Sequence, residues 1–179
     1  MRSPTVLLIG YGNPGRLDDG LGPALAEAIE RDGIEGLTVE ADYQLTVEDA
    51  AAVAEHDVVI FADAAVADSE PFFFRRIAPS ATGSFSTHSV EPAAVLALAA
   101  ELFGARTTGY VLGVRGYEFD EFGERLSPRA QANLAAAAAF LRSALPDGRF
   151  DEVGDAPPAG DATRSTASFE DGPCKTEST

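Results

Sequence analysis

Residues 58–62, Val58-Val59-Ile60-Phe61-Ala62, are five consecutive apolar side chains closed by Asp63. A strand with one wet face alternates apolar and polar residues. A run without alternation has to be covered on both faces, as inside a parallel sheet flanked by helices. Such a strand needs neighbours, and 5–10, 37–41 and 110–114 supply β-branched or apolar runs of similar length. Helical stretches lie between them. Leu21, Leu25, Ala28 and Ile29 share one face of a helix over 21–32. Thr46 is placed to cap a second, with Asp49 as capping-box partner and His56-Asp57 at its end. A third spans 90–103, and Ser127-Pro128 opens a fourth that runs through the alanines of 135–139 to Leu145. The run Phe72-Phe73-Phe74-Arg75-Arg76-Ile77 stands apart, because only about eight residues separate it from Asp63 and a parallel crossover needs about a dozen. It is expected to be antiparallel. The pattern predicts an α/β chain, a three-layer α/β/α sandwich on a mostly parallel five-stranded sheet with one antiparallel strand.

A length of 179 residues suits one domain with a real core. The composition shifts near Phe150, beyond which Val153 and Phe169 are the only sizeable apolar groups. Residues 1–150 are therefore expected to fold as one domain, and 151–179 to form a disordered acidic C-terminal tail that buries too little surface to offset its ordering entropy. Thirteen basic residues stand against 29 acidic ones, a net charge of -16. That field repels polyanions, so neither nucleic acid nor a membrane surface is expected as a partner. No apolar run approaches the roughly 20 residues of a membrane span, and no export leader is read before the first strand. The lone cysteine, Cys174, excludes an internal disulfide and multi-thiolate zinc, and fits a reducing cytoplasm. A metal site would have to use carboxylates and the two histidines.

In a parallel sheet the loops leaving the carboxyl ends of the strands gather on one edge and build the site. Asp18 and Asp19 follow the first strand, and Asp63 ends the third. The helix after His88 must descend so that the last strand can rise beside its neighbours, which brings His88 to the same edge; residues 78–87 are long enough for the climb. Two carboxylates and an imidazole are a donor set for a divalent transition metal with open positions. Each residue also has an ordinary use: Asp18 or Asp19 as a helix cap, Asp63 as the start of a turn, His88 as a loop residue with satisfied hydrogen bonds. His56, between Glu55 and Asp57, reads as a solvated helix end facing the dipole. The loop GYGNPG at 10–15 matches the dinucleotide pattern G-x-G-x-x-G formally, with Glu40 or Asp42 available for a ribose. Pro14, Gly20, Gly22 and Pro23 delay the helix that should face pyrophosphate, and Asp18 and Asp19 put negative charge in its place.

Three segments resemble a known family, the hydrogenase maturation proteases. LLIGYGNPGRLDDGLGP is similar to the family's strand, glycine turn and acidic pair, VVIFADAA to its second motif, and FSTHSVEPAAVLALA to its histidine segment. The likeness spans roughly residues 5–145. It implies a processing endopeptidase that removes the C-terminal extension from the large-subunit precursor of a nickel-iron hydrogenase once nickel is inserted, cutting just beyond a His or Arg. Asp19, Asp63 and His88 then fall on the metal-facing, catalytic positions, with nickel supplied by the precursor and the enzyme acting as a monomer. Asp18 would support Asp19, and Asn13 would either donate to an oxyanion or hold its turn. Two other readings stand beside this one, a dinucleotide-binding oxidoreductase and a metal-sensing assembly adaptor without catalysis.

Overall fold

A computed structural model describes residues 3–67, 70–80, 90–148 and 150. The expected tail at 151–179 lies outside the described residues. Five strands, β1 (Val6–Tyr11), β2 (Leu37–Asp42), β3 (Val58–Ala65), β4 (Phe72–Ile77) and β5 (Thr108–Arg115), form one sheet in the order β2-β1-β3-β5-β4. All pairings are parallel except that of β4 with β5, where Phe74 faces Leu112. The helices are α1 (Leu21–Glu30), α2 (Asp49–Ala54), α3 (Pro92–Phe103) and α4 (Pro128–Ala144). The sheet lies between two helical layers, which is the sandwich expected from the sequence.

The two faces of β3 explain its unbroken apolar run. Val58, Ile60 and Ala62 pack with Leu21, Leu25 and Ile29 of α1 and with Ala137 and Leu141 of α4. Val59 and Phe61 turn to the opposite face, against Val53 of α2 and Val95 and Leu96 of α3. Near β4, Phe74 stacks on Tyr110 at 5.0 Å between centroids, and Phe150 joins them fully buried. No helix among the described residues is long and apolar enough to cross a membrane.

Most element ends fall within one or two residues of the expected positions, and two of the differences have a specific physical reason. β3 continues two residues past Asp63, because β5 goes on pairing through Ala65 with Arg115. The second helix starts at Asp49 with Glu48 as N-cap and no side-chain cap. Thr46 does not cap it; the Asp49 carboxylate reaches back to accept the Thr46 N–H at 2.6 Å, so only that half of the capping box forms. Ser127 caps α4 as its sequence suggests, its hydroxyl oxygen accepting the Ala130 N–H, with Pro128 in the first turn.

Candidate active site

The sheet reverses its direction of growth at β1, with β2 on one side and β3 on the other. The carboxyl ends of β1 and β3 therefore flank the switch point, where the crevice that takes ligands lies in sheets of this kind. Pairing between these strands ends at Gly10 with Ala62. Tyr11 and Asp63 are the next residue on each. Strand alternation carries Tyr11 after Leu7 and Ile9, and Asp63 after Val59 and Phe61, onto the α2/α3 face. There the Tyr11 phenol donates to the Asp63 carboxylate, which also accepts the Ala64 N–H at 2.7 Å.

Asp19 is brought to this pair by a tightly wound loop. After β1 the chain forms a 3-10 turn, Leu17–Gly20, that runs directly into α1. Gly12 has φ +137°, and a Cβ there would meet the Asp19 carbonyl oxygen at 2.1 Å, so only glycine lets the loop close over Asp19. Gly22, in the first turn of α1, lies against the Tyr11 and Ala62 carbonyls, which a Cβ would meet at 2.2 and 2.5 Å. The glycines at 12 and 22 thus serve close approach of loop and helix to the strand ends. Asp19 itself accepts the Asn13 N–H at 3.1 Å, and Asn13 Oδ1 accepts the Gly15 N–H at 2.8 Å. Asn13 therefore holds its turn.

Asp63 and Asp19 interact as like charges. Burial is the largest influence on Asp63 and, with the repulsion from Asp19, pushes its carboxyl up to about 6 against the downward pull of the Ala64 and Tyr11 hydrogen bonds. Tyr11 is pushed well above the ordinary phenol range, by burial first and then by Asp63 and Glu91, and stays a neutral donor. Unbalanced negative charge in a half-buried crevice is an arrangement that a cation would relieve.

Asp18 does something else. It is fully buried and turned toward the segment after β5, accepting the N–H groups of Tyr117 and Glu118 at 2.8 and 3.0 Å, and from Ser127 both the N–H and the hydroxyl at 2.7 Å. These bonds hold its carboxyl below the usual carboxylate range despite burial. The expected support of Asp19 by Asp18 is therefore corrected: none of these bonds reaches Asp19, and Asp18 instead clamps the loop to the start of α4. Neither aspartate caps α1, whose N-cap is Gly20 without a side-chain bond. Leu17, at φ +52°, is the strained residue of the turn, held by burial and by its N–H to the Gly123 carbonyl at 2.8 Å.

His88 lies outside the described residues. The chain resumes at Val90, which packs with the α2/α3 face, and the Glu91 charge reaches Tyr11, so the start of α3 stands at the carboxyl edge. His56 is less solvated than expected. Its Nδ1 lies 2.8 Å from the Ala52 carbonyl oxygen and its Nε2 2.9 Å from Thr38 Oγ1, which closes the end of α2. Next to the crevice, ligand atoms of Glu40, Asp42 and Asp49 lie within 4.8 Å of one another, and mutual repulsion added to burial raises Glu40 and Asp49.

The glycine loop offers little to a pyrophosphate. The N–H groups of Gly12, Asn13, Gly15, Arg16, Leu17, Asp18 and Asp19 all donate within the protein. Tyr11 is the member of the site that sequence reading passed over. Its place two residues after Ile9 on an alternating strand was the available signal.

No protein-family profile and no curated protein sequence matches the chain. Solved structures do. The hydrogenase maturating endopeptidase HybD from E. coli superposes with a TM-score of 0.64 at 25% identity, over 83% of this chain and 94% of that one. The nickel-iron hydrogenase maturation protease HycI from Thermococcus kodakarensis gives 0.63 at 20% identity, over 80% and 94%. The hydrogenase 2 maturation peptidase from a Thaumarchaeota archaeon gives 0.59 at 20%, over 79% and 97%. The latter two share the fold; the first adds sequence likeness. By its sheet order and these neighbours the chain has the fold of the hydrogenase maturation proteases, and its three motifs and its 25% identity to HybD make it similar to them in sequence as well.

Proposed function

We propose that this protein is an endopeptidase that removes the C-terminal extension from the nickel-loaded large-subunit precursor of a nickel-iron hydrogenase, with Asp19, Asp63 and His88 as the residues that meet the precursor's nickel. The observation that supports the reading is the fold of the loop after β1, which Gly12 and the Asn13 N–H close around Asp19 beside the strand ends that carry Asp63, so that the two carboxylates repel each other there. Nickel is substrate cargo here. Two carboxylates cover part of its coordination shell, and an imidazole at 88 would add a third ligand while the precursor's own thiolates fill the rest. Bound there, the ion polarises the scissile carbonyl or activates water.

The chain's own groups set the geometry of that encounter. Asn13 N–H fixes Asp19, Ala64 N–H and the Tyr11 phenol fix Asp63, and Gly12 and Gly22 bring the two carriers together. Recognition and cleavage depend on the same ion, so a precursor without nickel is left intact. The engaged N–H groups of residues 12–19 speak against dinucleotide binding. An adaptor would bind the precursor without shortening it. Mass spectrometry of the full-length precursor, incubated with the protein with and without nickel, separates these readings: a shortened product only in the nickel-loaded sample is expected. Unchanged mass in both samples would overturn the endopeptidase.

A further inference from the structure

β2 is an edge strand, and its outer side borders a cleft of about 540 Å³ between α1, the loop of Pro14 and the segment after β5. The Gly36 carbonyl accepts the Val6 N–H and the Asp42 carbonyl accepts the Gly12 N–H, so even-numbered residues of β2 point their backbone groups at β1. Val39 and Ala41 point theirs outward. Among the described residues no hydrogen bond reaches those outward N–H and C=O groups. An open edge of this kind is a template for an added strand.

The side chains on the two faces of this edge define what could be added. Toward α1 the cleft has an apolar floor of Leu17, Pro23, Ala24, Val39 and Leu126 under the carboxylates of Glu27, Glu30 and Glu124. Toward α2 stand Glu40, Asp42 and Asp49. Glu27 shares its charge with Arg31, while Arg125 and Arg142 are engaged by Glu118 and Asp32. A second copy of β2 would set these acids against themselves. A basic extended peptide would be complemented on both sides.

We infer that the free edge of β2 and its cleft bind an extended, basic segment of the polypeptide being processed, as an added strand with apolar side chains in the cleft and Lys or Arg side chains toward Glu40 and Asp42. The inference rests on the endopeptidase reading and names how that enzyme holds its substrate. The path is continuous with the site: Tyr11 pairs with Asp42 at the end of β2, and Pro14 and Gly20 of the Asp19 loop line the same cleft. Alternating side chains supply specificity and the backbone supplies affinity.

Ala41→Pro tests it. Proline is tolerated on an edge strand where the N–H faces away from the sheet, yet it removes the donor and blocks the added strand. Cleavage of the nickel-loaded precursor by the full chain is expected to show KM raised about tenfold with kcat kept, at unchanged circular dichroism. The surface pair Glu30→Lys with Glu124→Lys is expected to raise KM at low salt and to flatten its salt dependence. Unchanged KM in both variants, with active wild type, overturns the edge site and leaves the endopeptidase standing. Wild type that fails to shorten the precursor overturns both. A wild-type dimer that Ala41→Pro converts to monomer assigns the edge to a second copy and overturns the inference.

Discussion

Asp18 and Ser127, 109 residues apart, are joined by two hydrogen bonds of 2.7 Å, from the serine N–H to Oδ1 and from its hydroxyl to Oδ2. The same hydroxyl oxygen accepts the Ala130 N–H at the start of α4. One buried carboxylate thereby ties the loop that carries Asp19 to the cap of the last helix.

Asp18→Asn is expected to cost about 2–4 kcal/mol at pH 7, because a charged acceptor of four bonds becomes an amide that cannot accept them all. The pH dependence has a definite sign. A carboxyl held below its ordinary value of 3.8 stabilises the fold fully above that value and loses the contribution as pH falls toward its folded value. Urea unfolding at pH 7 and pH 3 should therefore show wild type losing stability with acid more steeply than Asp18→Asn. Parallel losses would contradict the clamp.

What the sequence disclosed and what it hid follow from the range of each interaction. The doubly covered β3 and the Ser127-Pro128 cap are local patterns, and both appear in the fold. The end of β3 was misplaced because polarity changes at Asp63 whereas pairing with β5 continues to Ala65. Asp19 and Asp63 could be brought to one edge by topology alone. The task of Asp18 could not be read, since its partners at 117, 118 and 127 share no local spacing with it. Tyr11 sits inside the glycine motif, where its neighbours Gly10 and Gly12 carry the local signal and nothing in the spacing links it to Asp63.

Tyr11→Phe removes the phenol that donates to Asp63 and keeps the ring. That bond lowers the Asp63 carboxyl, so its loss should move the carboxyl further above about 6. Carbon-13 NMR titration of the Asp63 carboxyl in the metal-free protein reads the shift directly. An unmoved midpoint would mean the phenol makes no such bond in solution.

Gly22→Ala and Gly33→Ala separate two uses of glycine. At Gly22 a methyl group would meet two backbone carbonyls at 2.2 and 2.5 Å, neither able to rotate away, so α1 must lift from the strand ends. A loss of about 3 kcal/mol or more is expected, within the range for overpacked cores. Gly33, at φ +60°, has open space around its Cβ position, and the cost there is conformational, about 1 kcal/mol. Urea unfolding of both variants checks the order; equal losses would refute the close packing of α1 on β1 and β3.

Asp63→Asn should trade activity for stability. A carboxyl raised from 3.8 to about 6 on folding is penalised when ionised: the penalty is absent below the ordinary value, grows through the interval, and is complete above the folded value. Above pH 6 the amide escapes that penalty and the repulsion from Asp19, for an expected gain of about 1–3 kcal/mol. Below pH 4 the gain should vanish, since wild type is then neutral at this position as well. Thermal unfolding across pH 4 to 8 measures it, and cleavage of the nickel-loaded precursor by the same variant should be lost. A variant that is no more stable at pH 7.5 than wild type would show that Asp63 carries no electrostatic burden, and would remove the physical reason for a cation to settle between it and Asp19.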